Sequence, residues 1–147
     1  MSISTFNMEN PLFLAFANKI DEFYREKFNY KTSCAFPRFP TIDINRSAVR
    51  LYLRFKPKGS WPNDSIVIAS IEFQKQRRGH GKALLQKLVD MSARYEFRSI
   101  GIEQTSSKEG IQNFVRKFGF KNHGNERNWL VSIDTLKLLL DATSPKH

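Results

Sequence analysis

Ser65-Ile66-Val67-Ile68-Ala69-Ser70-Ile71-Glu72-Phe73, then Gln76-Arg77-Arg78-Gly79-His80-Gly81, then Lys82 onward through Leu84, Leu85, Leu88, Val89 and Met91, decide the fold. The first run is rich in β-branched residues and nearly continuous in its apolar character, which predicts a strand covered on both faces. The last run carries apolar residues at helical spacing. Between them lies a basic turn with two glycines. The first amides of a helix have no intrahelical acceptor, and the helix dipole favours an anion there. Glycine lets the backbone come close to a ligand because no Cβ intervenes. The stretch therefore reads as a strand, a phosphate-holding turn and a helix.

Downstream, Arg98-Ser99-Ile100-Gly101-Ile102-Glu103-Gln104-Thr105 reads as a second strand. A strand–helix–strand order of this length implies a right-handed crossover and a parallel pair. Ser106 or Ser107 can cap a further helix, with Ile111, Phe114, Val115 and Phe118 as its apolar face and Gly119 as its stop. An extended segment opens at Phe120, a hairpin turn is expected over Asn125–Asn128, Trp129–Ile133 returns as a strand, and Leu136–Leu140 suggests a short terminal helix.

Upstream, Asn10 suits a helix cap and Pro11 a first turn. Leu12, Phe16, Ile20 and Phe23, widened by Phe13 and Leu14, predict a helix to about Lys27 whose aromatic stripe is core. Residues 30–46 read as loop with one short strand around Thr41–Ile44. Val49, Leu51, Leu53 and Phe55 alternate with Arg50, Tyr52 and Arg54, the pattern of a half-buried strand. The turn-rich Lys56–Asp64 segment makes it antiparallel to the Ser65–Phe73 strand. Residues 1–10 and 143–147 are expected to be tails.

The chain has 147 residues, 40% of them apolar and 26% charged, which suits one soluble domain. No apolar run reaches the roughly 20 residues needed to span a bilayer. Met1–Thr5 lacks a basic region followed by an apolar core, so no secretory leader is expected. A single cysteine, Cys34, excludes an internal disulfide framework and a multi-cysteine metal site, and a cytoplasmic location is the default. The net charge of +10 favours an anionic partner: nucleic acid, a phosphate-bearing cofactor or an acidic protein. Many of the basic residues fall between Lys75 and Arg98, around the turn.

Gln76, Gly79 and Gly81, placed between an apolar strand and Ala83-Leu84-Leu85, resemble the acyl-CoA-binding signature of the GNAT N-acetyltransferase superfamily. A second block, Ile111-Gln112-Asn113-Phe114-Val115-Arg116-Lys117-Phe118-Gly119-Phe120, looks like that family's later helix with its closing Gly-Phe. The resemblance covers about residues 65–133 and leaves residues 1–64 as a variable, substrate-side part of a single domain. It implies an α/β fold with a central, mixed, mostly antiparallel sheet flanked by helices. Two parallel strands would splay apart to form the acyl-CoA cleft. It implies acetyl-CoA as cofactor. The pyrophosphate would be held by Gln76, Arg77, Arg78, Gly79, His80, Gly81 and Lys82. The pantetheine arm would pair with backbone near Ile71 and Phe73, with Lys108, Phe114 and Lys117 as further neighbours. The plainer reading of Arg77, Arg78 and Lys82 is solvated charge at a helix start.

The chain departs from the pattern where many members carry a tyrosine that protonates the departing thiolate: that position is Val115. Lys108 stands where asparagine is frequent. Glu72 and Glu103 are the catalytic candidates, with Asp64 and His80 as other bases, although each carboxylate can equally pair with an arginine. Tyr52 and Tyr30 are stand-ins for the acid, and Cys34 is a conceivable nucleophile. The leading expectation is an N-acyltransferase acting on a primary amine of a small molecule, a protein or a charged RNA, with a homodimer admitted. A non-catalytic acyl-CoA-binding module, or a nucleic-acid or protein interaction module on the same fold, is the alternative.

Overall fold

The computed structural model describes residues 11–75, 78–103, 105 and 109–143. The expectations that rest on Asn10, Gln76, Arg77, Ser106, Ser107, Lys108 and the two tails lie outside the described residues. The element order is α1 (Pro11–Phe28), β1 (Ala35–Arg38), β2 (Thr41–Asn45), β3 (Val49–Phe55), β4 (Ser65–Phe73), α2 (His80–Met91), β5 (Ser99–Ile102), α3 (Glu109–Lys117), β6 (Lys121–His123), β7 (Asn125–Ser132) and α4 (Ile133–Thr143). The strands form one 7-stranded sheet in the order β1-β2-β3-β4-β5-β7-β6. Every neighbouring pair is antiparallel except β4–β5, which α2 joins as the crossover. This is the mixed, mostly antiparallel α/β arrangement expected.

Strand alternation sorts the side chains onto two faces. One face carries Ile42, Ile44, Val49, Leu51, Leu53, Ile66, Ile68, Ile100 and Val131, all buried, and the apolar sides of all four helices join the same core. Phe16 of α1 meets Phe55 at 5.1 Å and Phe97 at 5.9 Å. The other face carries Arg50, Tyr52, Arg54, Val67, Ser70, Glu72 and Gly101. No described helix covers it. Trp61, from the loop before β4, lies over Gly101 instead: a Cβ built there would stand 2.5 Å from Trp61 Cζ3.

Helix ends follow local chemistry. α1 stops at Asn29, which adopts φ 56, with the Tyr30 amide bonding back to Arg25 O at 2.9 Å. α3 stops the same way at Gly119, φ 80: the Phe120 amide reaches Val115 O at 2.9 Å and the Gly119 amide reaches Arg116 O at 3.1 Å. The Gly-Phe pair is thus a helix stop in which glycine supplies the left-handed turn and Phe120 packs back into the core.

Four boundaries differ from expectation. Two strands, not one, precede β3. β1 contains Pro37, tolerable because β1 is an edge strand, and its start is tied down by Asp21 Oδ1, which accepts from the amides of Cys34 (2.6 Å) and Ala35 (2.9 Å). The hairpin apex is Gly124, φ 80, not Asn125–Asn128. Asn125 Oδ1 accepts from the amides of Arg127 and Asn128 at 2.8 and 2.9 Å, a local side-chain turn already within β7. α4 runs over Ile133–Thr143 rather than Leu136–Leu140 because Ser132 Oγ caps it, accepting from the Thr135 amide at 3.1 Å. β4 is covered on both faces only over Ser65–Ile68; from Ala69 to Phe73 burial alternates.

Candidate active site

The site is built where β4 and β5 part. Their ladder runs from Ser65↔Ser99 to Ile68↔Ile102. One further bond, from the Glu103 amide to Ile68 O at 3.1 Å, closes it. β4 continues to Phe73, whereas Thr105 turns its amide across to Arg127 O at 3.0 Å, following β7. Among the described residues no further bond joins the two strands, so beyond Ile68 the β5-side edge of β4 is left unpaired and the strands part.

A β-bulge sets which backbone groups line the cleft between the two strands. Against β3, Leu53 pairs with Ile68 and Tyr52 with Ser70, so Ala69 is the extra residue. Ile68 directs its carbonyl to the β5 side, as the bond from Glu103 shows. The Gln74 amide bonds Ala48 O on the β3 side at 3.1 Å. Backbone groups alternate along a strand, so Glu72 and Ser70 also face β3, while Ile71 and Phe73 face the cleft. Without the inserted residue, Ser70 and Glu72 would face it instead.

The cleft leads toward the first turn of α2. Gly79 precedes the helix in the left-handed region (φ 77, ψ 12) with no side-chain cap, and the Ala83 amide bonds its carbonyl at 2.9 Å. A side chain at 79 would be strained. Gly81 meets α3 here: a Cβ at 81 would be 2.9 Å from Phe114 Cε1. The two sequence blocks, far apart along the chain, therefore touch. Arg78 is exposed beside this turn, and Lys82 is half-buried in it. His80 is packed between Phe73 (5.0 Å) and Phe28 (5.3 Å), with Nδ1 buried and unpartnered. Burial first, then the charges of Lys27 and Arg78, hold its pKa below the usual histidine value. That favours a neutral ring packed in the turn.

The catalytic candidates separate. Glu103 stands at the last rung before the splay, on the face away from the helices. Its Oε1 accepts from Arg54 Nε at 3.1 Å and Nη2 at 3.0 Å, and its side chain is 15% exposed. Tyr52 lies opposite Ser70 at the bulge, with the Arg54 guanidinium 5.5 Å from its ring. Glu72 is solvent-exposed and pairs with Arg50 at 3.4 Å. Asp64 lies at the other end of β4, about 13 Å along the strand from Ile68. Tyr30 packs on Phe28 at 5.8 Å under the Arg46 guanidinium. Cys34 is fully buried beside α1, and burial, with Asp21 adding to it, pushes its thiol up to about 11, which disfavours the thiolate a nucleophile needs. Val115 is fully buried in the core. Lys117 is exposed, its Nζ 5.5 Å from the Phe118 ring.

Arg54 is the residue that sequence reading did not single out. Alternation placed it on the uncovered face of β3, but its partner is 49 residues away, and only the strand order brings the two together. A second pair walls the same face: His123 stacks on Trp61 at 4.9 Å and places Nε2 2.7 Å from Ser60 O. Among the described residues no cluster of His, Cys, Asp and Glu could hold a metal ion.

No protein-family model and no curated protein matches this sequence. Solved structures with a similar chain path include the anti-CRISPR protein AcrVA5, at 16% identity over 64% of this chain and 100% of that one, TM-score 0.47. The ribosomal-protein-S18-alanine N-acetyltransferase of Escherichia coli is similar at 13% identity over 74% of this chain and 76% of its own, TM-score 0.47. AtaTR bound with AcCoA is similar at 16% identity over 67% and 72%, TM-score 0.44.

Proposed function

We propose that this protein is a GNAT-type N-acyltransferase that uses acetyl-CoA and acts on a primary amine. The observation that carries the reading is the bulge at Ala69 combined with the splay after Ile68, which together turn the backbone of Ile71 and Phe73 into a cleft leading to the Gly79–Gly81 turn. A free strand edge suits an amide-bearing arm, and an uncapped basic helix start suits a pyrophosphate. The residues present fit the cofactor: Ile71 and Phe73 would hold the pantetheine arm, and Arg78, Gly79, His80, Gly81 and Lys82 the phosphates, with Phe114 closing the turn. Gln76, Arg77 and Lys108 belong to the same set by sequence.

Acetyl-CoA, when bound, supplies an acyl group activated as a thioester. The chain must orient the amine, take its proton, stabilise a developing oxyanion and, as the thioester C–S bond breaks, let CoA leave as the thiol carrying a proton equivalent to the one the amine gave up. Backbone N–H groups on the cleft edge of β4 serve the oxyanion. Glu103 is the better base because it stands at the splay; Glu72, exposed and paired with Arg50, is the second choice. Arg54 holds Glu103 in one orientation. The acceptor, whether small molecule, protein or charged RNA, approaches from the uncovered face. No described helix is long and apolar enough to cross a membrane, and we place the protein in the cytoplasm, with a homodimer as one assembly to test. Val115, buried in the core, favours one other reading, a non-catalytic acyl-CoA-binding module. Turnover of acetyl-CoA with a panel of amines excludes it.

Calorimetry with acetyl-CoA tests the binding claim. Saturable 1:1 binding is expected, and Arg78→Glu should weaken it about 10- to 100-fold, the effect of replacing a charge-assisted contact by a repulsion. Absence of both heat and thermal shift at saturating acetyl-CoA would sink the proposal.

A further inference from the structure

We infer that Thr105 is a positioning residue for the acyl-CoA cleft: it holds the end of β5 on β7 and so keeps the β5-side edge of β4 free. The ligand rests on the function proposed above; the geometry does not. Along a strand, successive residues turn their backbone groups to opposite neighbours. Glu103 turns its amide to β4, where Ile68 O accepts it at 3.1 Å. Two residues on, Thr105 is the next whose amide would bond β4 in a continued ladder. It bonds Arg127 O of β7 instead, at 3.0 Å. The rung that the parallel pair lacks is the one that Thr105 gives to β7.

That amide is not the only tie. Thr105 Oγ1 donates to Arg127 O at 3.0 Å and accepts from Trp129 Nε1 at 3.0 Å. Thr105 O accepts from Arg127 Nε at 3.0 Å. Every polar group of Thr105 is thus bonded to β7. The β7 side is itself fixed, because Asn125 Oδ1 accepts from the Arg127 amide at 2.8 Å and Trp129 belongs to the buried core. Thr105 is buried as well, so water cannot readily replace these bonds. The clasp runs from the core, through the indole, to the end of β5. It also fixes Glu103, the proposed base, whose backbone lies between the last bond to β4 and the clasp. Packing alone would be served by valine, which has the shape of threonine and no hydroxyl.

The test compares the full chain with Thr105→Val, Thr105→Ser and Trp129→Phe, the last removing the indole N–H while keeping a ring in the core. In ligand-free protein, amide hydrogen exchange followed by NMR should quicken about tenfold at Glu103 and at residue 105 in Thr105→Val and Trp129→Phe. Calorimetry should show acetyl-CoA bound about tenfold more weakly by the same two variants. Thr105→Ser, which keeps the hydroxyl, should match the parent in both. Ile44→Ala, a truncation in the core of β2, should lower the melting temperature and leave acetyl-CoA affinity within about twofold. No acetyl-CoA binding by the parent would count against the acyl-transfer function alone, and exchange at Glu103 would then decide the clasp. Unchanged exchange there in both Thr105→Val and Trp129→Phe would overturn the inference. So would quickened exchange with unchanged acetyl-CoA affinity, or equal losses in Thr105→Ser and Thr105→Val.

Discussion

Gly101→Ala places one methyl group against the wall of the site. The new Cβ would stand 2.5 Å from Trp61 Cζ3, 2.8 Å from Cε3 and 3.0 Å from Cη2. Carbon atoms pack at about 3.5–4.0 Å, so the indole must retreat by roughly 1 Å. It has little room: Trp61 is 7% exposed, stacks on His123, and sits in a loop held by the contact between His123 Nε2 and Ser60 O. Overpacking of this kind costs about 1–3 kcal/mol, the strained hydrogen bond about 1 kcal/mol, and the reduced freedom of the unfolded chain returns about 0.4–1 kcal/mol. The net is a loss of about 2 kcal/mol, or about 4–8 °C in Tm for a chain of this size. Calorimetric melting measures it, and tryptophan emission should shift as the indole moves. In a Trp61→Ala background the same change should be neutral or stabilising, because the obstacle is gone. A Gly101→Ala protein melting within 1 °C of the parent would refute the packing argument, and with it the account of how Trp61 walls the uncovered face.

Asp21→Ala should cost about 2–4 kcal/mol, because two buried amides, Cys34 and Ala35, lose their shared acceptor, whereas Asp21→Asn keeps an oxygen there and should cost less; urea titration of both variants checks this. The Cys34 thiol, pushed up from 9.0 to about 11, favours its neutral form in the fold. Its contribution to stability is therefore complete below the unfolded value and lost as pH rises through the folded one. Denaturation midpoints should fall between pH 9 and 11, and Cys34→Ala should flatten that fall; an unaltered profile would contradict the assignment.

The parts of the fold legible in the sequence are those written locally. The strand–turn–helix over residues 65–91 needs only its own apolar spacing and glycines. The stop at Gly119-Phe120 needs only a left-handed residue followed by an apolar one. The parallel pair follows from crossover length. What escaped depends on tertiary contact. β1 looked like loop because Pro37 breaks the strand pattern and its anchor, Asp21, lies on α1. The bulge at Ala69 left no mark, since an alanine there reads as ordinary strand, yet it decides that Ile71 and Phe73 face the cleft. The pairing of Arg54 with Glu103 was hidden by its sequence separation, and the cap at Ser132 by its position at the end of a strand. Of the candidate site, the glycine turn was legible because it is local, whereas Glu103, the proposed base, could be named but not set above Glu72 until the end of the β4–β5 ladder was located.

The central claim is that an acyl-CoA arm lies along the freed edge of β4. Amide NMR of the labelled protein titrated with acetyl-CoA tests it most directly. The account predicts that the Ile71 and Phe73 amides shift and become protected from hydrogen exchange, together with Gly79, His80 and Gly81, while Glu96 and Asp134 at the opposite end of the sheet stay unmoved. Shifts confined to the Gly79–Gly81 turn, with Ile71 and Phe73 exchanging as in the free protein, would contradict it.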